Sequence, residues 1–350
     1  MILKDIRKKI DLKDAQILKL LHERMELAVM SKKFKNKIED SEREEELFKM
    51  IDAHSGVLIN PEFSKKLYKD IISESKRLQG KNYKLIGFQG EQGAYQELAS
   101  LVWDKNLIPT ACSSFAEVFN GVETGLYDYG IVPIENTLGG VVNQTNDLMI
   151  HSDLFVVGAV ELEIHHCLLA LPGTDHRDIR MVYSHQQALA QCRNFLARHN
   201  LEGIPYYNTA GAAKMLMHEK PKASAVIASR HAADIYNLEI IKENIEDLDT
   251  NRTRFLIISK KESSEKGEKC SVLFSTAHKA GTLFHVIEIF AKENINLTRI
   301  ESIPNRPGTY VFFLDFEGDK NDPRVQNVLK GVSEVTGEFR FMGCYREVHA

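Results

Sequence analysis

The stretch KLIGFQGEQGAYQELASLVW, from Lys84 to Trp103, decides the fold class of most of this 350-residue chain. A short apolar run, a glycine-rich turn and an amphipathic pattern follow one another, which predicts a strand, a turn and a helix. Further strand patterns alternate with helical ones up to residue 259, at NLIPTA, YGIVPI, LFVVGAV, HHCLLAL, MVYS, IPYYN, SAVIAS and RFLIIS. This alternation predicts an α/β fold of two lobes with a ligand cleft between them.

Upstream of this stretch, residues 1–82 carry only helical signals. The segment has two glycines and one proline, and its apolar residues recur at helical spacing. We expect three helices, from about residue 5 into the high thirties, from about 40 to 54, and from the Asn60-Pro61 cap to Gly80. The N-terminal domain is therefore predicted to be all-α.

Downstream, the charged stretch KKESSEKGEK is predicted to be a linker. The patterns that follow it run in the order strand, helix, strand, strand, helix, strand, which is the βαββαβ order of a ferredoxin-like α+β domain. The sequence thus predicts a multidomain protein with boundaries at 1–82, 83–262 and 268–350.

Composition narrows the class of protein. With 43% hydrophobic and 27% charged residues and a net charge of -4, the chain resembles a globular protein and not a nucleic-acid binder with a basic stripe. We find no secretory signal pattern and no apolar run that approaches the ~18 residues of a membrane span. Five scattered cysteines, never in a CxxC pair, indicate buried reduced thiols and a cytoplasmic location.

One stripe of the first predicted helix has a composition that suits an anion. Arg24, Ala28, Ser31 and Lys35 lie at i, i+4, i+7 and i+11, so cations flank small residues on one helix face. Such an arrangement suits a compact dianion, since long cationic side chains grip carboxylates. The alternative is a solvated charged face on a coiled-coil arm.

The N-terminal segment resembles the all-helical chorismate mutase family over nearly all of residues 1–80. The resemblance is carried by IRKKID, LKLLHERMELA, a later D-x-x-RE and S-x-x-x-Q. The resemblance implies an intertwined homodimer in which Arg7 reaches the partner's site. It also implies a pericyclic reaction, which needs placement and charge stabilisation but no nucleophile or metal. Lys35 and Gln79 would face the ether oxygen as catalytic groups. The implied site residues are Arg7, Arg24, Lys35, Asp40, Arg43, Glu44, Ser75 and Gln79.

The glycine-rich turn after the first strand is weak evidence for a nucleotide, because its spacing is GxxGxxG and no Walker lysine follows. More specific strings, VPIENTLGGVVNQTNDL, YSHQQALAQC, NTAGAA and NRTRF, resemble the prephenate dehydratase family over about residues 84–260. The resemblance implies two lobes like those of periplasmic binding proteins, no cofactor and no metal. It makes Thr253 the principal catalytic residue. The implied cleft residues are Glu135, Asn136, Thr137, Ser184, Gln191, Thr253, Arg254 and Phe255.

The dehydratase reaction expels a ring hydroxyl together with a carboxylate, so a hydrogen-bond donor near that oxygen is the chief requirement. We expect Thr253 to act by hydrogen bonding, with Glu135 or His185 as the alternative proton source. The pair His165-His166 is interpreted as part of a strand and not as a metal site. Two positions depart from the family pattern, Gln96 in GAYQ and Gln186 in YSHQQ.

In the C-terminal module, HKAGTLFHVI and LTRIESIP resemble the two ligand-binding strings of ACT regulatory domains. The resemblance implies inhibition by an aromatic amino acid, most plausibly phenylalanine. Ile303 stands where arginine is usual, and Arg306 is a candidate replacement. The implied contact residues are Ala280, Gly281, Thr282, Leu283, Glu301 and Ser302.

Together the three resemblances imply a bifunctional enzyme of phenylalanine synthesis, a chorismate mutase/prephenate dehydratase with an ACT domain. Its partners would be chorismate, prephenate and phenylalanine, in a homodimer or higher homo-oligomer without nucleic acid or membrane. Two alternatives stay open, a non-catalytic sensor of aromatic amino acids and an enzyme with one active domain. A pure sensor has no need of Arg24, Lys35, Gln79 and Thr253 together.

Overall fold

The computed structural model describes residues 3–35, 37–53, 56, 58–306 and 309–350. The chain forms two compact units, Met1–Leu85 and Ile86–Ala350. None of the helices in the described residues combines the length and the apolar character that crossing a lipid bilayer requires.

The first unit is all-helical, as predicted. Its helices are α1 Leu3–Ser31, a 3-10 turn Lys32–Phe34, α2 Ser41–Ala53 and α3 Pro61–Gly80. Asn60 caps α3, because its side chain accepts a 2.7 Å hydrogen bond from the Phe63 N–H. The prediction for the end of the second helix, at His54, lies outside the described residues.

The first helix ends earlier than predicted. It stops at Ser31, and Lys35 has an extended backbone. Residues Lys32–Phe34 tighten into a 3-10 turn, and the Lys35 N–H donates to the Lys32 carbonyl at 3.3 Å, so the chain leaves the helix there. The single stripe from Arg24 to Lys35 is therefore wrong, since Lys35 lies beyond the helix.

The second unit contains the remaining helices and the strands. Its helices are α4 Tyr95–Trp103, α5 Phe115–Thr124, α6 Asn143–His151, α7 Gln186–Gln191, α8 Arg193–Arg198, α9 Thr209–Glu219, α10 Arg230–Tyr236, α11 Thr282–Lys292 and α12 Pro323–Val335, with a 3-10 turn at His176–Asp178. The strands are β1 Leu85–Gln89, β2 Ile108–Cys112, β3 Tyr129–Asn136, β4 Gly140–Val141, β5 Phe155–Glu163, β6 Cys167–Ala170, β7 Met181–His185, β8 Glu202–Tyr206, β9 Ser224–Ala228, β10 Glu239–Lys242, β11 Arg252–Ser259, β12 Lys269–Thr276, β13 Leu297–Arg306, β14 Thr309–Glu317, β15 Phe339–Tyr345 and β16 Glu347–His349.

Three sheets organise this unit. The first lobe has the order β16-β5-β11-β3-β1-β2, with β4 on β3, and the second lobe has β10-β6-β9-β7-β8. The third sheet, β13-β14-β12-β15, carries α11 and α12 and completes the predicted βαββαβ module. The chain leaves the first lobe after β5 and returns to it as β11, which pairs antiparallel with both β3 and β5.

The C-terminal module is fastened to the first lobe. Its last strand, β16, pairs in parallel with β5, so the end of the chain extends the first sheet. Arg340 of β15 donates hydrogen bonds to the carbonyls of Met149 and Ser152 at the end of α6. The stretch KKESSEKGEK therefore does not set the module apart as a separate unit.

The cores are apolar, and each sheet contributes to one. Phe88, Ile131 and Ile257 are fully buried under the first sheet, and Phe274 and Phe290 are buried under the third. All five cysteines are buried and free, which confirms their prediction as packed thiols.

Candidate active sites

A cavity of about 430 Å³ opens in the two-lobed part of the second unit. The ends of β3 and β11 supply Asn136, Thr253 and Phe255 from the first lobe. The second lobe supplies Gln187 and Gln191 from the helix that follows β7. Among the described residues that line the cavity, none is Lys, Arg, Asp or Glu.

The strand register places Asn136 directly opposite Thr253. The Asn136 Nδ2 donates a 2.9 Å hydrogen bond to Thr253 Oγ1, while its Oδ1 accepts from the Leu138 and Gly139 N–H groups. Because Thr253 Oγ1 already accepts a hydrogen bond, its own proton is available for a ligand in the cavity. Phe255 lies two residues further along β11 and lines the same cavity.

The opposite face of the same two strands holds Glu135 and Arg254, which corrects two expectations. Successive side chains of a strand point to opposite faces, so the neighbours of Asn136 and Thr253 face away from the cavity. Arg254 is 7% exposed and contacts Asp315 and Glu347 at 2.5 Å each. Arg254 therefore does not line the cleft, and Glu135 is not placed to supply a proton there.

The hydroxyl groups of two further expected cleft residues donate hydrogen bonds to backbone carbonyls. The Thr137 Oγ1 donates to the Thr250 carbonyl at 2.8 Å, and the fully buried Ser184 donates to the Ile227 carbonyl at 2.6 Å. The structure therefore brings neither side chain to the large cavity. Thr137 lines a smaller pocket with Glu135 and Arg254.

Several residues of the cavity wall were not among the predicted cleft residues, and Tyr95, His166 and Asn251 are polar ones that hydrogen bond along that wall. His166 and Asn251 are each 2% exposed, and both are hydrogen bonded to Gln191. Both ring nitrogens of His166 lie within hydrogen-bond distance of a polar side chain. The double histidine that precedes CLLAL was the available signal, but its interpretation as part of a strand was wrong, because His165 and His166 lie in the connection between β5 and β6.

The glycine-rich turn joins the two lobes. Ser229 of the second lobe donates a 2.9 Å hydrogen bond to the Gly93 carbonyl, and Glu91 accepts from Tyr207 at 2.9 Å. Gly93 has a φ of +90°, and a Cβ there would lie 2.9 Å from the Ala232 Cα. The glycine is needed for this close approach. Gln96, the residue that departs from the family pattern, accepts from the Gln89 N–H.

The helical unit brings part of the expected mutase set together. Arg24 Nη1 donates a 2.6 Å hydrogen bond to Ser75 Oγ, which links α1 to α3. The Arg43 N–H, which donates to Asp40 Oδ1, and the Lys35 Nζ, 3.4 Å from Asp40 Oδ2, lower the pKa of Asp40. Arg24 is thus held beside a buried hydroxyl of α3, while Lys35 pairs with Asp40 ahead of α2.

Gln79 is the least satisfied residue of this set. It is 7% exposed, lies one turn from Ser75 on α3, and its Oε1 has no hydrogen-bond partner in the described structure. The other expected residues face solvent in a single chain. Arg43 pairs with Glu46, Glu44 pairs with Lys76, and Arg7 is exposed on α1.

The expected amino-acid-binding residues lie at one end of the third sheet. Gly281, at φ +88°, precedes α11, and Thr282 Oγ1 donates to the Ala277 carbonyl at 2.9 Å. Leu283 packs against the module's core, and Ala280 is exposed. Glu301 and Ser302 lie two strands away on the edge strand β13.

Ile303, which replaces the usual arginine, is buried. The side chain of Arg306 is not among the described parts of the structure.

Comparison with known families agrees with this arrangement. Residues 6–80 match the type II chorismate mutase family, residues 86–263 match the prephenate dehydratase family, and residues 271–334 match the ACT domain family.

Individual relatives extend the likeness to the full length. The chain is 38% identical to the bifunctional chorismate mutase/prephenate dehydratase of Aquifex aeolicus, over 98% of this chain and 97% of that protein. It is 36% identical to the enzyme of the same description from Stutzerimonas stutzeri, with the same coverage. A solved prephenate dehydratase from Arthrobacter aurescens, in complex with L-Phe, superposes with a TM-score of 0.70 at 29% identity, over 75% of this chain and 89% of that one. The chain belongs to the family of bifunctional chorismate mutase/prephenate dehydratases.

Proposed function

We propose that the dehydratase step takes place in the 430 Å³ cavity and that Thr253 is its principal hydrogen-bond donor. The observation that carries the proposal is the 2.9 Å hydrogen bond from Asn136, which leaves the Thr253 proton free to point at a bound ligand. A donor fixed where negative charge develops on a departing oxygen stabilises the transition state. Loss of carbon dioxide then follows as the ring becomes aromatic.

Prephenate carries two carboxylates, yet the cavity wall has no lysine or arginine among its described residues. We propose that neutral donors and helix N-termini bind it. The first residues of α4, at Ala94 and Tyr95, and of α9, at Thr209 and Ala210, line the cavity. The positive end of a helix dipole and its unpaired N–H groups attract anions.

The mutase step is assigned to the helical unit, at the surface defined by Arg24, Lys35, Ser75 and Gln79. The unpartnered Gln79 Oε1 and the Arg24–Ser75 contact, one helical turn apart on α3, support the assignment. Arg7, Asp40, Arg43 and Glu44 stay predictions as contact residues.

A homodimer would complete that site. A stable monomer rarely leaves many large apolar side chains exposed along one helix. On α1 and the 3-10 turn that follows it, the exposed ones are Leu3, Ile6, Ile10, Ile17, Leu18, Leu20, Leu27 and Phe34. We propose that a second copy of α1 covers them and that the protein works in the cytoplasm, where unpaired buried thiols are expected. The boundaries 1–82, 83–262 and 268–350 are proposed for the three domains.

One assay tests both assignments. The purified full-length chain is incubated with chorismate or with prephenate, and each substrate and phenylpyruvate are followed separately. We expect conversion of chorismate to phenylpyruvate without added metal or nucleotide. A folded protein that ignores both substrates would favour the sensor alternative.

Arg24→Ala is expected to slow the mutase step by about 10²–10³-fold, because a charged donor to the substrate is lost. The dehydratase rate on supplied prephenate should not change. Arg77→Ala is the matched control, since Arg77 is an exposed α3 residue paired with Glu74 and lies outside the site. Equal losses in the two variants would contradict the assignment.

Phenylalanine is expected to lower the dehydratase rate by about 5- to 150-fold at saturation, the usual range of allosteric coupling. We propose that it binds the C-terminal module near Gly281 and Ser302. The module reaches the catalytic strands directly, because Asp315 contacts Arg254 and Arg299 lies 3.4 Å from Glu135. Phenylpyruvate formation from prephenate is measured with and without phenylalanine. An unchanged rate would refute feedback control in this chain.

A further inference from the structure

Hydrogen bonds join six side chains of the cavity wall into one chain. The chain passes through Tyr95, His166, Gln191, Asn251, Asn136 and Thr253, all of which line the cavity. Its last member is the proposed catalytic donor. The first four members have no part in the function proposed above, apart from the general expectation that Gln191 lines the cleft.

At the Asn136 end of this series of hydrogen bonds, the backbone fixes which side-chain atom donates and which accepts. The N–H groups of Leu138 and Gly139 donate to Asn136 Oδ1 at 3.1 and 2.6 Å, so this atom must be the oxygen. The Asn136 Nδ2 therefore faces the other way, 2.8 Å from Asn251 Oδ1 and 2.9 Å from Thr253 Oγ1. Asn136 is the donor in both contacts, and its two amide protons are shared among these two oxygens and the Arg252 carbonyl at 2.9 Å.

The donor and acceptor of each further hydrogen bond can then be assigned in turn, from Asn251 to His166. Because Asn251 Oδ1 accepts, its Nδ2 is the group that donates to Gln191 Oε1 at 3.2 Å. The same Gln191 oxygen lies 2.8 Å from His166 Nε2, and an amide oxygen only accepts, so Nε2 must carry a proton. Burial lowers the pKa of His166 and favours the neutral ring. Its Nδ1 is then an acceptor, 3.0 Å from the Tyr95 hydroxyl, and the single proton of that hydroxyl is shared between Nδ1 and the His165 carbonyl, which lies 2.6 Å away.

We propose that His166, supported by Tyr95, is a positioning residue for the dehydratase step. In the other tautomer, Nε2 would accept a proton, and Gln191 would have to turn its amide nitrogen toward the ring. The Asn251 Nδ2 would then face the Gln191 amide nitrogen and would have lost its acceptor, Gln191 Oε1. If Asn251 turned as well, its Nδ2 would meet the Nδ2 of Asn136, donor against donor. The Nε2–H tautomer of His166 thus keeps the Asn251 Oδ1 turned toward the Asn136 Nδ2, and so supports from the second lobe the amide that the backbone orients toward Thr253. This inference rests on the proposed role of Thr253.

The test compares His166→Leu with His166→Gln in the full-length chain, with prephenate as substrate. A glutamine amide places a donor close to the position of Nε2, whereas leucine has none. We expect His166→Leu to lower kcat by about 10- to 100-fold, the effect of a misplaced catalytic group, with little change in KM. His166→Gln should recover most of that loss. Equal losses in the two variants, or an unchanged kcat in His166→Leu, would overturn the proposal.

Separate measurements check that the variants fold and that Thr253 has its proposed role. Trp103, the single tryptophan, lies in the second unit, so its fluorescence reports whether that unit is folded. If His166→Leu does not fold, Tyr95→Phe decides: a several-fold fall in kcat is expected, and an unchanged kcat overturns the proposal. Thr253→Ala is measured beside these variants. If it keeps full turnover, the proposed role of Thr253 fails; if it is inactive while His166→Leu is not, only the positioning role fails.

Discussion

Thr253→Ala is expected to lower dehydratase turnover by about 10²–10³-fold, the usual effect of removing one preorganised donor. The methyl group of alanine cannot donate to the departing oxygen, and the Asn136 Nδ2 loses one of its acceptors. Chorismate rearrangement should proceed at the unchanged rate, because the mutase residues lie in the other unit. With chorismate as substrate, prephenate should therefore accumulate, and its amount is the measurement.

Thr253→Ser is the matched control for this prediction. It keeps the hydroxyl and removes only a methyl group, so most of the turnover should return. The fluorescence of Trp103 verifies that the second unit is folded in both variants. Full dehydratase turnover in Thr253→Ala, or loss of both activities in a folded protein, would refute separate sites with Thr253 as the donor.

Asp315→Ala is expected to destabilise the second unit by about 3–5 kcal/mol, the cost of leaving a buried charge without its partner. Asp315 is fully buried and accepts from Arg254 and from Ser271, each at 2.5 Å. Burial lowers the pKa of Arg254, but the carboxylates of Asp315 and Glu347 outweigh it and raise the pKa, so the guanidinium stays charged. After the substitution the guanidinium keeps Glu347 at 2.5 Å and the more distant Glu135 at 3.8 Å, but its buried partner at Nη1 is lost.

Urea unfolding followed by Trp103 fluorescence measures this loss in the second unit. Glu262→Ala is the control, because the Glu262–Lys320 pair lies at the surface of the same unit. Exposed ion pairs contribute about 0–1 kcal/mol, so this variant should unfold almost like the unsubstituted chain. If Asp315→Ala proved as stable as Glu262→Ala, the Arg254 network would not hold the module on the first lobe.

Most of the fold could be predicted from the sequence, since hydrophobic periodicity is a local property. The helices of the first unit, the α/β alternation and the βαββαβ order all follow from it. The end of α1 was missed because hydrophobic periodicity does not locate the 3-10 turn in which the helix ends. The pairing of β16 with β5 was missed because strand pairing joins residues far apart in the sequence.

The candidate site, like the fold, could be predicted only in part from the sequence. Four residues that the motifs grouped together, Asn136, Gln191, Thr253 and Phe255, line one cavity. Glu135 and Arg254 were grouped with them because sequence neighbours share a motif. In a strand such neighbours face opposite sides, and the arrival of the C-terminal module on the far face cannot be read from spacing.

By itself, the sequence determined the order and class of the domains and the residue types that suit a small dianion. Only the tertiary structure decided which of those residues share a cavity and that His166 joins them. Local patterns specify helices, strands and turns within a few residues of one another. Packing between distant strands then decides whether each side chain meets solvent, a ligand or another domain.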